Sequence, residues 1–284
     1  MLLLANIVGD VRTATSAGDL AGAERLVVQH QKQQGVTPES VLAYSWLARG
    51  ALAAKNYDAA ARYAAETHKL VLARVNAKNL DRESNLPIAL GAAIEVQGHV
   101  LAAHEGRASA VSYLRTELAK YKDTSIRTRI QKNINLLSLE GKRAPKLEGA
   151  ALPAGRPALL FFWAHWCPDC KGEAPVIARL QREFPKLAVI GPTQLYGYAE
   201  AGREVAPAEE AKYIQDVQRR FYGEVRDMPA PVSAENFRVY GASTTPTLVL
   251  VDSSGIVRLY HPGSMSYEEL RARVEGLHAP PQAE

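Results

Sequence analysis

From residue 1 to about 140, apolar residues recur at helical spacing among many alanines and alternating charges. That pattern predicts a stack of about six helices, with small residues allowing close packing. Gly18-Asp19 opens a segment running to Gln34. Thr37-Pro38-Glu39 supplies a capping hydroxyl, a proline at the first helical position and an acid in the first turn. Further breaks fall near Lys55-Asn56, Asn85-Leu86-Pro87, Glu105-Gly106 and Lys122-Asp123, and they mark out helical hairpins. The pattern changes at Glu140-Gly141-Lys142-Arg143-Ala144-Pro145-Lys146, where glycine, a basic pair and proline read as a linker. Beyond it come a predicted strand at 158–163, a helix at 167–184 interrupted by Pro175, and a strand at 187–190. A long loop rich in Gly and Tyr follows over 193–207, at the carboxyl end of that strand, where open α/β sheets place their sites. The remaining elements are a helix at 207–222, a connector Met228-Pro229-Ala230-Pro231, and a short helix from Ser233 to Gly241. A strand pair at 247–252 and 256–260 then turns through Ser253-Ser254-Gly255, ahead of a final helix at 267–277. These boundaries define a helical domain at 1–142, an α/β domain at 143–278 and a tail at 279–284, the stretch after His278 being expected to lack structure.

Three helix starts in the first half resemble one another: Gly18-Asp19-Leu20-Ala21-Gly22-Ala23, Lys55-Asn56-Tyr57-Asp58-Ala59-Ala60 and Glu105-Gly106-Arg107-Ala108-Ser109-Ala110. They look like the second-helix starts of tetratricopeptide repeats, with Tyr44, Leu47 and Ala48 in the first helix of the unit around Tyr57, although the third unit departs from the usual period. The fold expected for this half is an all-α, TPR-like array of helical hairpins. Such an array serves either as a platform for a protein partner or as a bundle that covers or dimerises the second domain, and both readings stay open.

At 284 residues and 47% hydrophobic content, the chain has the material for one or two full cores. Its net charge of +4 comes without a long basic run, so no nucleic-acid partner is expected. Met1-Leu2-Leu3-Leu4-Ala5-Asn6-Ile7-Val8 lacks a basic leader and a clear cleavage box, and reads as the first helix. No stretch is expected to span a membrane.

The chemistry concentrates in one place. The apolar run Phe161-Phe162-Trp163 leads to Trp166-Cys167-Pro168-Asp169-Cys170, and these are the chain's two cysteines. A buried strand ending in C-x-x-C delivers two thiols to the first turn of a helix, where free amides and the helix dipole favour a thiolate. Cys167 is then the nucleophile and Cys170 the resolving thiol. A tetrahedral zinc site needs four ligands, and His165 and His261 stand at no recognised ligand spacing, so neither a metal nor any other cofactor is expected. A purely structural bridge across two residues would add little stability.

Trp166-Cys167-Pro168-Asp169-Cys170-Lys171-Gly172-Glu173-Ala174-Pro175 resembles the thioredoxin superfamily, specifically its TlpA/ResA branch of thiol-disulfide oxidoreductases. Thr244-Thr245-Pro246-Thr247, running into Leu248-Val249-Leu250-Val251, is similar to that superfamily's active-site cis-proline loop and following strand. The resemblance covers roughly residues 144–277 and implies an α/β thioredoxin-like domain with a cis bond before Pro246. It implies substrate contacts at Trp166, Pro168, Thr245 and Pro246, and a role for Glu173 in tuning the cysteines. In thioredoxins the tuning acid lies in the preceding strand, where this chain has Phe161. An exposed helical glutamate is the competing reading of Glu173. Asp169 disfavours a thiolate, and a protonated His165 would act the other way.

The function expected is dithiol-disulfide exchange with protein substrates through Cys167 and Cys170, as a reductase, with a redox partner that supplies or accepts electrons. The alternative is a redox-regulated scaffold whose helical domain recruits partners. The resemblance implies an extracytoplasmic, periplasmic setting, against a cytoplasmic one suggested by the missing signal peptide.

Overall fold

The computed structural model describes residues 6–277. The expectations for residues 1–5 and for the tail after 278 lie outside the described residues. Two compact units, Met1–Ile134 and Asn135–Glu284, make up the chain.

The first unit is built from α1 (Ile7–Ser16), α2 (Leu20–Gln34), α3 (Pro38–Ala53), α4 (Tyr57–Leu72), α5 (Asn85–His104), α6 (Arg107–Lys120) and most of α7 (Arg127–Ser138). Side chains cap the starts where the sequence supplies them. Asp19 and Asn56 accept amide hydrogens from Gly22 and Ala59, and Thr37 forms a capping box with Ser40. Each helix from α1 to α5 packs on the next, and α1 and α5 also pack on α3, which gives stacked hairpins. Small residues make this possible: Ala43, Ala48, Ala51, Ala60, Ala64 and Ala93 are all buried between helices. Contrary to the expectation that no stretch could span a membrane, the 20-residue α5 is long and apolar enough to cross one, with a mean hydropathy of 1.4 in its most apolar window. In this fold 61% of that window is buried, so its apolar side chains are used in packing.

Glu95 on α5 carries the main polar node of this unit. Its Oε2 accepts hydrogen bonds from Arg129, Lys132 and Asn133, each at 3.0 Å. Burial pushes the Glu95 carboxyl up, but the two cations and their hydrogen bonds outweigh it and hold the group well below the usual carboxylate range. A depressed folded pKa contributes stability above the ordinary carboxylate value, and that contribution is lost as pH falls. Glu95→Ala is therefore expected to cost about 2 kcal/mol near pH 7, discounted for partial exposure, and less at pH 3. The urea midpoint of the helical circular-dichroism signal at the two pH values measures it.

The second unit contains β1 (Ala158–Phe162), α8 (Pro168–Glu183), β2 (Ala188–Ile190), α9 (Pro207–Tyr222), α10 (Ala234–Tyr240), β3 (Thr247–Val251), β4 (Val257–Pro262) and α11 (Tyr267–Glu275). The sheet order is β2-β1-β3-β4, with β1 parallel to β2 and antiparallel to β3, and β3 antiparallel to β4. Every residue of β1 and β3 is buried, so both faces of the sheet are covered. Strand periodicity assigns the faces. Leu159, Phe161, Leu248 and Leu250 pack against Ile177 and Leu180 of α8, Ile214 of α9 and Leu270 of α11. Leu160, Phe162, Val249 and Val251 pack against Phe237 and Tyr240 of α10. Residues ahead of 143 already lie along β4. Leu139 joins the second of these cores, Glu140 accepts the Tyr260 amide, and Gly141 donates to Val257.

Candidate active site

The end of β1 sets the position of everything that follows. Trp163, fully buried, donates its backbone amide to Pro192 at 3.1 Å and its indole Nε1–H to the Gly191 carbonyl at 2.9 Å. A Cβ at Gly191 would come within 3.0 Å of that Nε1 and 2.9 Å of the Met228 sulfur, so a larger residue there would have to push Met228 or the indole aside. The chain then turns through Ala164-His165-Trp166 into α8.

Cys167 is the N-cap of α8 and Pro168 occupies its first turn, where the missing amide hydrogen costs nothing. Cys167 Sγ accepts the Cys170 amide hydrogen at 3.1 Å, and the two cysteines are joined as a disulfide. Cys167 Sγ lies 3.5 Å from the Thr245 carbonyl oxygen. The Thr245–Pro246 peptide is cis, as expected from the sequence. The Pro246 carbonyl accepts the Gly263 amide, and Thr247 Oγ1 donates to the Thr244 carbonyl, which fixes the loop facing the cysteines. Cys170 is fully buried, Cys167 is 2% exposed, and Trp166 beside them is 46% exposed. Trp166, Pro168, Thr245 and Pro246 thus all lie close around Cys167 in space or sequence.

Glu173 sits one turn beyond Cys170 on α8, and it is buried rather than exposed. Burial pushes its carboxyl up to about 7, against the hydrogen bonds from the Met265 amide and Ser264 that favour the ionised form. The strand position that holds an acid in thioredoxins is filled here by Phe161, wholly inside the core. The titratable group near the thiols therefore comes from the helix.

His165, which would favour the thiolate only if protonated, is held inside the unit. It is 1% exposed and its Nε2 lies 3.2 Å from Glu210 Oε1. Burial lowers its pKa, with the hydrogen bond and charge of Glu210 opposing. Glu210, in the first turn of α9, also accepts the amides of Tyr196 and Gly197 at 2.5 and 2.8 Å. The rings of Tyr196, Tyr198 and Tyr213 stand edge-on around His165. The sequence pattern did not reveal this cluster. Its three parts come from segments far apart in the chain, and a glutamate in a first turn looks like any acid placed at a helix dipole.

Residues 148–278 match the model of the thioredoxin-like domain. The Bacillus subtilis thioredoxin-like protein YneN is 26% identical over 147 residues, covering 50% of this chain and 75% of that protein. The Xylella fastidiosa thiol:disulfide interchange protein DsbE is 24% identical over 121 residues, covering 43% of this chain and 54% of that protein. The Mycobacterium tuberculosis soluble secreted antigen MPT53 is 41% identical over 44 residues, covering 16% of this chain and 25% of that protein. Over the matched residues the second unit is a thioredoxin-like domain.

Proposed function

We propose that this protein reduces disulfides in protein substrates, with Cys167 as nucleophile, Cys170 as resolving thiol and Glu173 as proton acceptor for Cys170. The observation that carries this reading is the placement of Cys167 Sγ at the N-cap of α8, facing the Thr245–Pro246 loop, with a buried carboxyl one turn behind Cys170. In the reduced form, the Cys167 thiolate attacks a substrate disulfide. The S–S bond breaks, and the first substrate sulfur leaves as a thiolate that takes a proton from water. Cys170 passes its proton to Glu173 and attacks Cys167 Sγ, which restores the Cys167–Cys170 disulfide and expels the second substrate sulfur. Two electrons move to the substrate, and an external dithiol donor regenerates the pair by the reverse steps. The exposed ring of Trp166, with Pro168 and the loop at Thr245 and Pro246, supports substrate contact, an extended chain pairing with the Thr245 backbone.

The charges around the pair support the reductive direction. A strong oxidant stabilises its thiolate, whereas here Asp169 stands between the two cysteines in sequence, the buried Glu173 follows one turn after Cys170, and burial lowers the pKa of His165. The reduction potential is expected nearer to about −270 mV than to about −120 mV, by equilibration with glutathione. Limiting alkylation of the reduced protein, read by mass spectrometry, tests the assignment of the two thiols. Cys167 is expected to react first, and preferential labelling of Cys170 would reverse the roles.

Glu173→Gln is expected to slow resolution of a mixed disulfide about tenfold at pH 7.5 and to abolish an inflection near pH 7 in that rate. The same substitution has a stability signature. A carboxyl whose folded pKa is raised from its ordinary 4.5 to about 7 stabilises the fold below pH 4.5, and that contribution is lost as pH rises through 7. The urea midpoint of Glu173→Gln is therefore expected to gain on the wild type at pH 8 and not at pH 4.5.

An extracytoplasmic setting goes with this reading, on the likeness to the TlpA/ResA branch and to a protein named as secreted. The stacked hairpins of the first unit suit a platform for a protein partner.

A further inference from the structure

Glu210 is a fully buried carboxylate that the exchange chemistry does not use. Burying such a group is costly unless its oxygens are hydrogen-bonded, and here three donors meet it. Tyr196 and Gly197 supply backbone amides from the loop after β2, and His165 supplies Nε2 from the turn before Cys167. Because a carboxylate only accepts, His165 Nε2 is the donor in this contact. One side chain of α9 thus ties the loop after β2 to the residue two positions before the nucleophile.

What the tie positions is an aromatic surface. The loop closes on itself through the Tyr198–Glu204 bridge and the hydrogen bond from the Val205 amide to the Gly197 carbonyl. Its Tyr196 ring stands edge-on to Trp166, with centroids 5.5 Å apart. Trp166 still presents nearly half of its surface to water directly beside Cys167. An exposed indole braced by a tyrosine is suited to bind an apolar side chain. We propose that Glu210, acting through His165 and the two loop amides, is a positioning residue that holds Tyr196 against Trp166. The resulting wall selects substrate disulfides flanked by an apolar residue. The proposal rests on the disulfide-exchange reading above and adds a substrate preference to it.

Two peptide disulfides that differ only in having leucine or glycine next to the cysteine distinguish the possibilities, with dithiothreitol as reductant and the full chain as catalyst. The wild type is expected to favour the leucine peptide about tenfold in kcat/KM, through KM, a ratio in keeping with burial of one apolar side chain. Glu210→Gln places an amide donor against at least one of the three donors, and is expected to bring the ratio within about twofold by raising KM for the leucine peptide. Tyr196→Ala is expected to do the same with Glu210 intact, and it decides the matter if Glu210→Gln fails to fold. An unchanged ratio in the folded variants, a kcat loss equal for both peptides, or a wild-type ratio near one would each overturn the wall while leaving the exchange reading in place. Failure of the wild type to reduce either peptide would instead remove the exchange reading and the preference with it.

Discussion

Cys170→Ser is expected to accumulate a covalent mixed disulfide between Cys167 and a substrate protein, whereas Cys167→Ser is expected to capture nothing. Both substitutions should lower disulfide-reductase turnover by roughly three orders of magnitude, because each removes one of two sulfurs that act as a unit. The asymmetry in capture follows from position. Cys167 caps α8 beside the half-exposed Trp166 and faces the Thr245 carbonyl, while Cys170 is sealed beneath it. With Cys170 gone, no neighbouring thiol expels the bound substrate, and the adduct persists until an external thiol reaches it. Non-reducing electrophoresis of the two variants after incubation with a disulfide-containing protein measures this. Equal capture by both would mean that either sulfur can attack, and the division of labour would have to be abandoned.

Trp163→Ala is expected to lower the stability of the second unit by about 3–5 kcal/mol, the range for emptying a buried aromatic site. The ring is fully buried, packs at 4.8 Å from Tyr222, and holds the Gly191 carbonyl through its Nε1–H. Its removal leaves both a cavity and an unpaired carbonyl. Trp163→Phe keeps most of the packing and loses the hydrogen bond, so it should cost about 1–2 kcal/mol. Urea unfolding followed by circular dichroism, with both variants beside the wild type, gives the two differences. Trp163 sets the end of β1 from which the active-site turn departs, so the alanine variant should also lose exchange activity before it unfolds globally.

These two predictions differ in how early the sequence supplies their premises. The C-x-x-C after an apolar run and the capping position of Cys167 could be read from local order, because each depends on neighbours within a few residues, whereas the loop at Pro246 was legible through the resemblance to the thioredoxin superfamily. The alternation of Leu159 and Phe161 against Leu160 and Phe162 likewise follows from strand geometry once β1 is placed. Long-range pairings were a different matter. That β3 enters the sheet antiparallel beside β1 depends on the course of the intervening chain, which no periodicity records. The resemblance pointed to Glu173 while its helical spacing alone read as an exposed acid, and what raises its pKa to about 7 is burial in the fold, where Met265 donates to its carboxylate. The His165–Glu210 contact spans 45 positions and was invisible for the same reason. In the first unit the caps at Asp19, Thr37 and Asn56 were legible, whereas the convergence of Arg129, Lys132 and Asn133 on Glu95 required the helices to be stacked.

The most direct test of the central claim is catalysed reduction of insulin by the full chain with dithiothreitol as electron donor, followed by precipitation of the freed B chain. The wild type is expected to shorten the onset of precipitation well below that with dithiothreitol alone, and Cys167→Ser to return it to the uncatalysed time. Equal onset with and without the wild-type protein, once alkylation has shown Cys167 and Cys170 to be reduced, would contradict the assignment of disulfide reduction to this site.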